Sequence, residues 1–324
     1  MYPFIFKPIL REMIWGGTDI RPFKGLRPGD EKVGESWELS HVEDKYSIVA
    51  NGVLEGKTID DLIATYGAKL LGEKVMKRFG TTFPLLIKFI DACDNLSIQV
   101  HPGDEMAAQQ HHQSFGKTEM WYVVKAAPGA ILYSGFSQQI DADEYVRRVE
   151  ENTIMDVLKR YEVKEGDVFF LPAGRVHALG SGCFIAEIQQ TSDLTYRIYD
   201  YNRKDANGNG RELHTELAKD AIDYTISDDY RTHYISEKDQ PVALAQCEYF
   251  TTNLLELDCP IKRDLSAIDS FVVYICMAGS AVIRDGENNE LKVHQGQTVL
   301  IPAEAKEITI TPLASTKFME TFIG

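Results

Sequence analysis

The sequence predicts a mainly β protein with helical insertions, in which two β-barrels follow one another along the chain. Two observations lead to this fold class. Short strand-like runs bounded by Gly, Pro or Asp dominate the chain, as is typical of barrels and sandwiches. A segment at 166–172 that runs from glycine to proline recurs at 296–302 with the same spacing and apolar pattern, which indicates a duplicated unit.

Seven runs in the first two thirds of the chain predict strands. Most are rich in β-branched or aromatic residues and end near Gly, Pro or Asp. The runs lie at 85–90, 96–100, 120–124, 130–133, 168–171, 184–189 and 195–200.

Three segments predict helices, because each starts at a residue type that can cap a helix N-terminus. Thr58 with Asp61 three residues later forms a potential capping box, and Asp141 precedes Glu144 at the same spacing. Thr215 provides the third helix start. These segments account for the helical insertions in an otherwise strand-rich chain.

A polar stretch at 225–240 separates two strand-rich parts of the chain. We therefore expect a catalytic domain with helical segments at 1–240 and a smaller barrel at 241–324. Within the repeated segment, Glu307 stands where the first copy has His177. Because glutamate replaces the histidine there, we expect the C-terminal barrel to lack a metal site.

Composition excludes several classes of partner. The 49 acidic and 34 basic residues give a formal charge of −15, which disfavours nucleic acid and anionic membranes, so an anionic substrate needs a local basic pocket. No run approaches the roughly 20 apolar residues of a membrane span, and the first residues lack the pattern of a secretory signal. We expect a cytoplasmic protein whose five cysteines are free thiols, mostly in the core. The sequence does not define the oligomeric state.

Polar side chains at the ends of three predicted strands point to a metal site. Alternation along a strand places Gln99 and His101 on one face. Glu119 opens a second predicted strand, and His177 follows the end of a third. Two imidazoles, one carboxylate and one amide oxygen form a ligand set suited to zinc among several divalent metals.

Each of these residues alone is more often an ordinary polar group of a strand than a ligand, so the hypothesis depends on their combination. The adjacent pair His111 and His112 is the competing candidate. That pair lies in a polar stretch at 109–113, and we expect it on a loop or helix surface rather than at a metal.

The motifs around the candidate ligands resemble those of a known family. The pattern Gly-x5-Pro-x-Gly-x2-His at 166–177 fits the second cupin motif, and Gln-x-His at 99–101 followed by Glu119 resembles a variant of the first. Together with 116–121 and 190–197, these segments resemble the type I mannose-6-phosphate isomerase family in its compact bacterial form. The likeness covers most of residues 1–225 and extends more faintly to the C-terminal barrel.

This resemblance implies a cupin fold and an activity: interconversion of mannose 6-phosphate and fructose 6-phosphate through an enediolate. It implies one zinc ion per chain and a sugar phosphate as the small-molecule partner. The implied metal ligands are Gln99, His101, Glu119 and His177. The implied catalytic residues are Arg197, Glu187, Asp193 and Lys117, and the implied substrate-binding residues are Lys88, Lys117 and Trp15.

Several roles stay open at this point. Arg197 can contact either the reacting oxygens or the phosphate, and we favour the reacting oxygens. Either Glu187 or Asp193 can move the proton. Lys88 lies in an apolar run and must find a partner or reach water along its aliphatic stem. Trp15 is equally explained as a core residue beside a glycine turn.

Two other functions use the same residues. A cupin can bind a sugar phosphate without converting it, because fold alone does not determine activity. Two histidines and a carboxylate also hold non-haem iron in oxygenases. The neutral Gln99 and the neighbouring lysine and arginine residues favour an anionic substrate and a redox-neutral reaction over the oxygenase alternative.

Overall fold

The computed structural model describes residues 1–112, 115–204 and 208–324, and the chain is mainly β with helical insertions, as the sequence predicts. The strands of the first part are β1 Phe4–Lys7, β2 Ile9–Gly17, β3 Val33–Leu39, β4 His41–Val42, β5 Lys45–Tyr46, β6 Ile48–Val49, β7 Leu85–Ala92, β8 Ile98–Val100, β9 Glu119–Ala126, β10 Ile131–Phe136, β11 Leu158–Glu162, β12 Val168–Leu171, β13 His177–Leu179, β14 Cys183–Gln190, β15 Tyr196–Tyr199 and β16 Arg231–Thr232. The remaining strands are β17 Pro241–Gln246, β18 Thr251–Leu257, β19 Ile261–Asp264, β20 Val272–Ala278, β21 Ser280–Asp285, β22 Glu290–His294, β23 Thr298–Ile301, β24 Glu307–Pro312 and β25 Thr316–Phe322. The α-helices are α1 Ile20–Phe23, α2 Ile59–Tyr66, α3 Ala68–Leu71, α4 Glu73–Phe79, α5 Asp104–His111, α6 Ala142–Glu150 and α7 Thr215–Ala221, and Gly52–Leu54 and Ile154–Val157 form 3-10 helices.

Two facing sheets form the first part of the molecule. A seven-stranded sheet runs in the order β16-β12-β9-β14-β7-β2-β3, and a five-stranded sheet runs in the order β11-β10-β13-β8-β15. The pairing along both sheets is antiparallel. Together they make a cupin-like sandwich rather than a closed barrel. The inner faces of the two sheets meet at the site described below.

A second pair of sheets follows, in the orders β17-β18-β25-β20-β23-β1-β6 and β19-β24-β21-β22. Its core is an apolar cluster to which Tyr274, Val299 and Phe318 contribute, each fully buried. Strand β1 lies inside this sheet, where Phe4 pairs with Leu300 of β23.

The repeated segment has the same local structure in both copies. Gly166 and Gly296 adopt left-handed backbone conformations, with φ of 88° and 80°, which glycine reaches without a steric penalty. Each glycine precedes a four-residue strand, β12 or β23, that ends before a proline. The domain boundary at 240 remains a prediction.

The predicted helix starts are confirmed at two of three positions. Thr58 and Asp61 form a complete capping box at the start of α2, and the Asp141 side chain accepts from the Glu144 backbone at α6. The third start is wrong, because Thr215 is already inside α7 and provides no side-chain cap. The preceding His214 occupies the cap position, and its backbone N–H donates to the Arg197 carbonyl.

The predicted strands all occur, with shifted ends. In the run at 96–100 the strand begins only at Ile98, the first residue that pairs with β15, and the run at 130–133 continues to Phe136. All five cysteines are free, but Cys93 and Cys259 are exposed, so their predicted place in the core is wrong. Within the described ranges, no helix has the length and apolar character needed to cross a membrane.

Candidate metal centre and substrate cavity

Three side chains from three strands converge between the sheets of the first part. His101 directly follows β8, Glu119 begins β9 and His177 begins β13. Their ligand atoms lie within 4.8 Å of one another, and all three residues are buried. The Nε2 atoms of His101 and His177 lie 3.6 and 3.3 Å from the Glu119 carboxylate oxygens. The predicted metal-ligating residues are thus brought together.

Hydrogen bonds orient both imidazoles toward this point. The Nδ1 atom of His101 lies 2.7 Å from the Leu194 carbonyl, and that of His177 lies 2.9 Å from the Arg175 carbonyl. These carbonyls accept from Nδ1–H, which leaves each Nε2 lone pair directed at the centre. Burial, followed by the charge of Lys117, lowers the pKa of His177 to about 3 and that of His101 well below its usual value. Both rings are therefore neutral, as ligands must be.

Glu119 provides the test of whether a cation fits. Both of its carboxylate oxygens are buried, and neither accepts a hydrogen bond of ordinary geometry within the described residues. The Lys117 ammonium pairs with Oε2 by charge, at 2.8 Å. Burial raises the pKa of this carboxyl group. A buried carboxylate with free lone pairs beside two neutral imidazoles fits a divalent metal ion.

The Gln99 side chain completes the cluster from the neighbouring position on β8. Its amide nitrogen lies 3.5 Å from Nε2 of His101 and 3.3 Å from Nε2 of His177. The two ends of an amide are assigned from their hydrogen bonds. Reversing the amide places its oxygen at the same point, as a fourth ligand requires.

Lys117 lies at the boundary between the cluster and a cavity. Strand β9 starts only at Glu119, so Lys117 precedes it, yet its Nζ atom lies 3.0 Å from Nε2 of His101. Burial opposes the charge of this ammonium, but the carboxylates of Glu119, Glu187 and Glu35 raise its pKa. Lys117 thus carries a positive charge next to the candidate ligands.

A cavity of about 370 Å³ opens beside the cluster. Its wall contains every residue that the sequence analysis assigned to substrate or catalysis, together with one assigned ligand. These residues are Trp15, Lys88, Gln99, Lys117, Glu187, Asp193 and Arg197. Residues more than 180 positions apart in the chain therefore share one surface.

Lys88 and Glu187 form a buried pair in the middle of the seven-stranded sheet. The Lys88 ammonium donates to Oε1 of Glu187 at 3.1 Å and to Oε1 of Gln189 at 2.7 Å. The indole of Trp121 donates to the other Glu187 oxygen at 2.8 Å. Lys88 therefore finds partners inside the protein and does not extend to the surface. Burial opposes ionisation of Glu187, but Lys88 and Lys117 lower its pKa to about 2.

The two remaining predicted residues lie on the opposite side of the cavity. Arg197 on β15 pairs in register with Gln99, and its Nη1 donates to the Glu212 carbonyl at 3.1 Å. The Arg197 Nε atom is buried and has no hydrogen-bond partner in the described part of the chain. Asp193 is exposed at the cavity mouth.

The sequence analysis missed other residues of the cavity wall. They are Arg11, Met13, Glu35, Trp37, Ile90, Leu96, Ser97, Thr195, Trp121, Leu179, Arg211 and His214. The signal for Glu35 and Trp37 was their alternation in a short strand, which puts a carboxylate and an indole on one face. As predicted, His111 and His112 lie at the end of α5, away from the cluster, where Nε2 of His111 contacts the Tyr196 hydroxyl.

The cupin-like sandwich and the buried cluster beside a cavity lined by lysine and arginine define a class: a cupin protein with a candidate metal centre. Comparison with known families agrees with this class. Residues 4–120 match the family described as phosphomannose isomerase type I, catalytic domain, and residues 242–316 match the mannose-6-phosphate isomerase, cupin domain.

Relatives and solved structures narrow the class further. The chain is 37% identical to mannose-6-phosphate isomerase ManA of Bacillus subtilis, over 77% of this chain and 78% of the relative. It is 33% identical to the probable mannose-6-phosphate isomerase GmuF of the same organism, over 95% and 96%. The crystal structure of mannose 6-phosphate isomerase from Bacillus subtilis matches with a TM-score of 0.88 and 29% identity, over 99% of both chains.

A structure of a putative mannosephosphate isomerase from Archaeoglobus fulgidus matches with a TM-score of 0.79 and 22% identity, over 98% of this chain and 97% of that one, which supports the fold alone. The chain belongs to the type I phosphomannose isomerase family, a family of metalloenzymes. The family resemblance of the sequence motifs is thereby confirmed.

Proposed function

We propose that this protein interconverts mannose 6-phosphate and fructose 6-phosphate at one zinc ion per chain. The observation that carries the proposal is the buried cluster of His101, Glu119 and His177 beside a cavity lined with cations. The names of the relatives, mannose-6-phosphate isomerases, support the same reaction.

Four residues would hold the ion: Gln99, His101, Glu119 and His177. Nitrogen and oxygen ligands of this kind suit zinc. When bound, zinc supplies positive charge beside a substrate oxygen, which favours negative charge on that oxygen. One carboxylate among four ligands leaves the site a net charge near +1, so the protein does not neutralise the ion fully.

The cavity matches a small anionic substrate. Lys88, Lys117 and Arg197 bring positive side chains to its wall in a protein whose formal charge is −15. Lys117 and Lys88 would bind substrate oxygens from the side of the large sheet, with Trp15 as an apolar wall. We assign Arg197 to the reacting oxygens, because it pairs in register with the proposed ligand Gln99.

Aldose–ketose isomerisation moves a proton between the first two carbons and passes through an enediolate, whose negative charge needs cations nearby. We assign the proton transfer to Glu187. This carboxylate is buried in the cavity wall, and the charges of Lys88 and Lys117 keep it ionised, the form that a general base needs. Asp193, the alternative, lies exposed at the cavity mouth.

Turnover of mannose 6-phosphate in a coupled assay, with and without a chelator, tests the proposal. We expect activity that disappears with chelation and returns with zinc, and metal analysis giving one ion per chain. Return with iron but not with zinc would show that the site uses iron and would overturn the assignment of zinc. Binding of the sugar phosphate without turnover would indicate that the protein is a binding module rather than an enzyme.

Two variants tie metal to activity. His101→Ala and His177→Ala should each lose bound zinc and turnover together, because each removes one of only four ligands. His111→Ala is the matched control and should keep both. Full metal content in the first two variants would contradict the ligand assignment.

A further inference from the structure

Glu35 is a cavity residue without a role in the proposed reaction. It lies on β3, where it pairs with Ile90 of β7 and with Arg11 of β2. Its side chain is only 13% exposed, and it contributes to the cavity wall. A carboxylate this far from bulk water is costly unless its oxygens find donors.

Two donors hold one oxygen of this carboxylate. The Trp37 indole N–H donates to Oε2 at 2.8 Å, and the Arg11 guanidinium donates to the same oxygen at 3.1 Å. The Arg11 guanidinium also lies 4.7 Å from the centre of the Trp37 ring, which fixes both groups against each other. The position of Glu35 is therefore set by the protein before any ligand binds.

The other oxygen, Oε1, accepts no hydrogen bond from the described residues. The neighbouring carboxylates differ from this arrangement. Both oxygens of Glu187 already accept hydrogen bonds from the protein, and Asp193 is exposed to water. Glu35 thus combines burial, a fixed orientation and an open acceptor.

We propose that Oε1 of Glu35 accepts a hydrogen bond from a hydroxyl group on C3, C4 or C5 of the bound hexose phosphate. The inference rests on the proposed function, which brings that substrate into the cavity. A hydroxyl group supplies the donor that Oε1 lacks, whereas a phosphate would be repelled by it.

The position of Glu35 in the sheet indicates that it contacts the C3 to C5 part of the substrate. Strand β3 is separated from β9, which carries Glu119, by β7 and β14. With about 4.8 Å between neighbouring strands, the backbone at Glu35 is three strand spacings from that of Glu119, so its side chain enters the cavity from the side remote from the proposed metal ligands. In the open-chain forms that react, the hydroxyl groups on C3 to C5 are the same in mannose 6-phosphate and fructose 6-phosphate. The contact therefore binds ground state and transition state alike, and its loss raises KM more than it lowers kcat.

A cycle of enzyme variants and substrate analogues tests the inference. Wild type and Glu35→Ala are each assayed with mannose 6-phosphate and with its 3-, 4- and 5-deoxy analogues. We expect Glu35→Ala to lower kcat/KM for mannose 6-phosphate by about 10- to 100-fold, mainly through KM. One deoxy analogue should show a similar loss with wild type and little further loss with Glu35→Ala.

A purely structural role predicts a different pattern. If the losses caused by Glu35→Ala and by every deoxy analogue multiply, or if wild type tolerates all three analogues, Glu35 does not bind a hydroxyl group and the inference is wrong. Should Glu35→Ala fail to fold, Glu35→Gln takes its place in the cycle, because its amide oxygen still accepts from Arg11 and Trp37. In that variant the amide N–H can donate to the hydroxyl oxygen in a weaker, uncharged hydrogen bond, so we expect a smaller loss in kcat/KM that is still coupled to the same deoxy analogue.

Glu12→Gln is the matched control. It lies on β2 next to Arg11, is exposed and is absent from the cavity wall, and should behave as wild type with every substrate. Turnover of mannose 6-phosphate by wild type tests the proposed function separately from the role of Glu35. If wild type shows no turnover, the proposed function is wrong. If wild type turns over but the losses from Glu35→Ala and from every deoxy analogue simply multiply, only the role of Glu35 is wrong.

Discussion

At the scale of single residues, the two acid/base candidates, Glu187 and Asp193, are both carboxylates but lie in different environments. Glu187 lies between the Lys88 ammonium and the Trp121 indole, which donate to its two oxygens. Asp193 is exposed. A proton carrier for an enediolate reaction benefits from exclusion of water, because a fixed charge acts more strongly there.

Conservative substitutions separate the two candidates. Glu187→Gln keeps the shape of the side chain and should lower kcat by about 10²- to 10⁴-fold, the usual contribution of a general base. Asp193→Asn is the matched substitution and should change kcat by less than about 10-fold. Steady-state kinetics with metal content measured in parallel provides the check. A larger loss in Asp193→Asn than in Glu187→Gln would reverse the assignment.

Residues with a local pattern were predictable from sequence, and residues defined by long-range register were not. His177 stands in a motif with fixed spacing, and Gln99 and His101 alternate on one strand. Glu35 alternates with Trp37 in the same way, but its partner Arg11 lies on another strand and meets it only through sheet pairing. A carboxylate in a strand is also common at surfaces, so its burial could not be read from the chain alone.

At the scale of elements, one buried carboxylate fixes the segment between β2 and α1. Asp91 of β7 accepts from the Asp19 backbone N–H at 2.6 Å. A Cβ atom on Gly17 would lie 2.3 Å from an Asp91 oxygen, so only glycine allows this approach. The segment begins three residues after Trp15 of the cavity wall. Burial raises the pKa of Asp91 to about 6.

The raised pKa of Asp91 predicts how the free energy of unfolding depends on pH. Because the folded-state pKa exceeds the ordinary value of 3.8, the stability that Asp91 contributes is complete below about pH 4 and is lost as pH rises through 6. Asp91→Asn cannot ionise. Relative to wild type, it should therefore gain about 1–3 kcal/mol in unfolding free energy between pH 4 and pH 8.

Urea unfolding of both proteins at several pH values, with chelator present throughout, measures this difference. Asp30→Asn, at an exposed position, is the control and should track wild type at every pH. A constant offset between Asp91→Asn and wild type would show that ionisation of Asp91 has no part in the effect.

Helix starts show the same division between local and distant causes. The capping box at Thr58 needs only two residues three positions apart, and it was predictable. The cap of α7 was predicted one residue too late, at Thr215, because His214 occupies the cap position and its backbone N–H donates to the distant Arg197 carbonyl. Sequence patterns carry no information about that contact.

At the scale of the whole molecule, the second pair of sheets contains its own buried polar cluster. Glu320 of β25 is fully buried and accepts from the Tyr274 hydroxyl at 2.7 Å and from the Asn253 amide at 2.9 Å. The Arg263 guanidinium binds both of its oxygens, each at 2.9 Å. Both oxygens are satisfied by protein donors, in contrast to those of Glu119.

This cluster should contribute stability without binding metal. Glu320→Ala leaves the Arg263 charge without its partner and should lower the unfolding free energy by about 3–5 kcal/mol, while metal content stays at one ion per chain. Glu307→Gln, which removes only an exposed pair with Lys262, should change it by less than about 0.5 kcal/mol. Denaturant unfolding and metal analysis of the three proteins provide the test. A second ion, lost in Glu320→Ala, would contradict this account.

Strand β1 has a consequence for the order in which the protein can assemble during synthesis. Residues 4–7 are synthesised long before their pairing partner in β23, which comes nearly 300 residues later. The second sheet therefore cannot be completed until β23 and β25 have emerged from the ribosome, and contacts of such high sequence separation slow folding. A fragment that begins at 241 would expose the edge of β23, an open template for pairing with another chain.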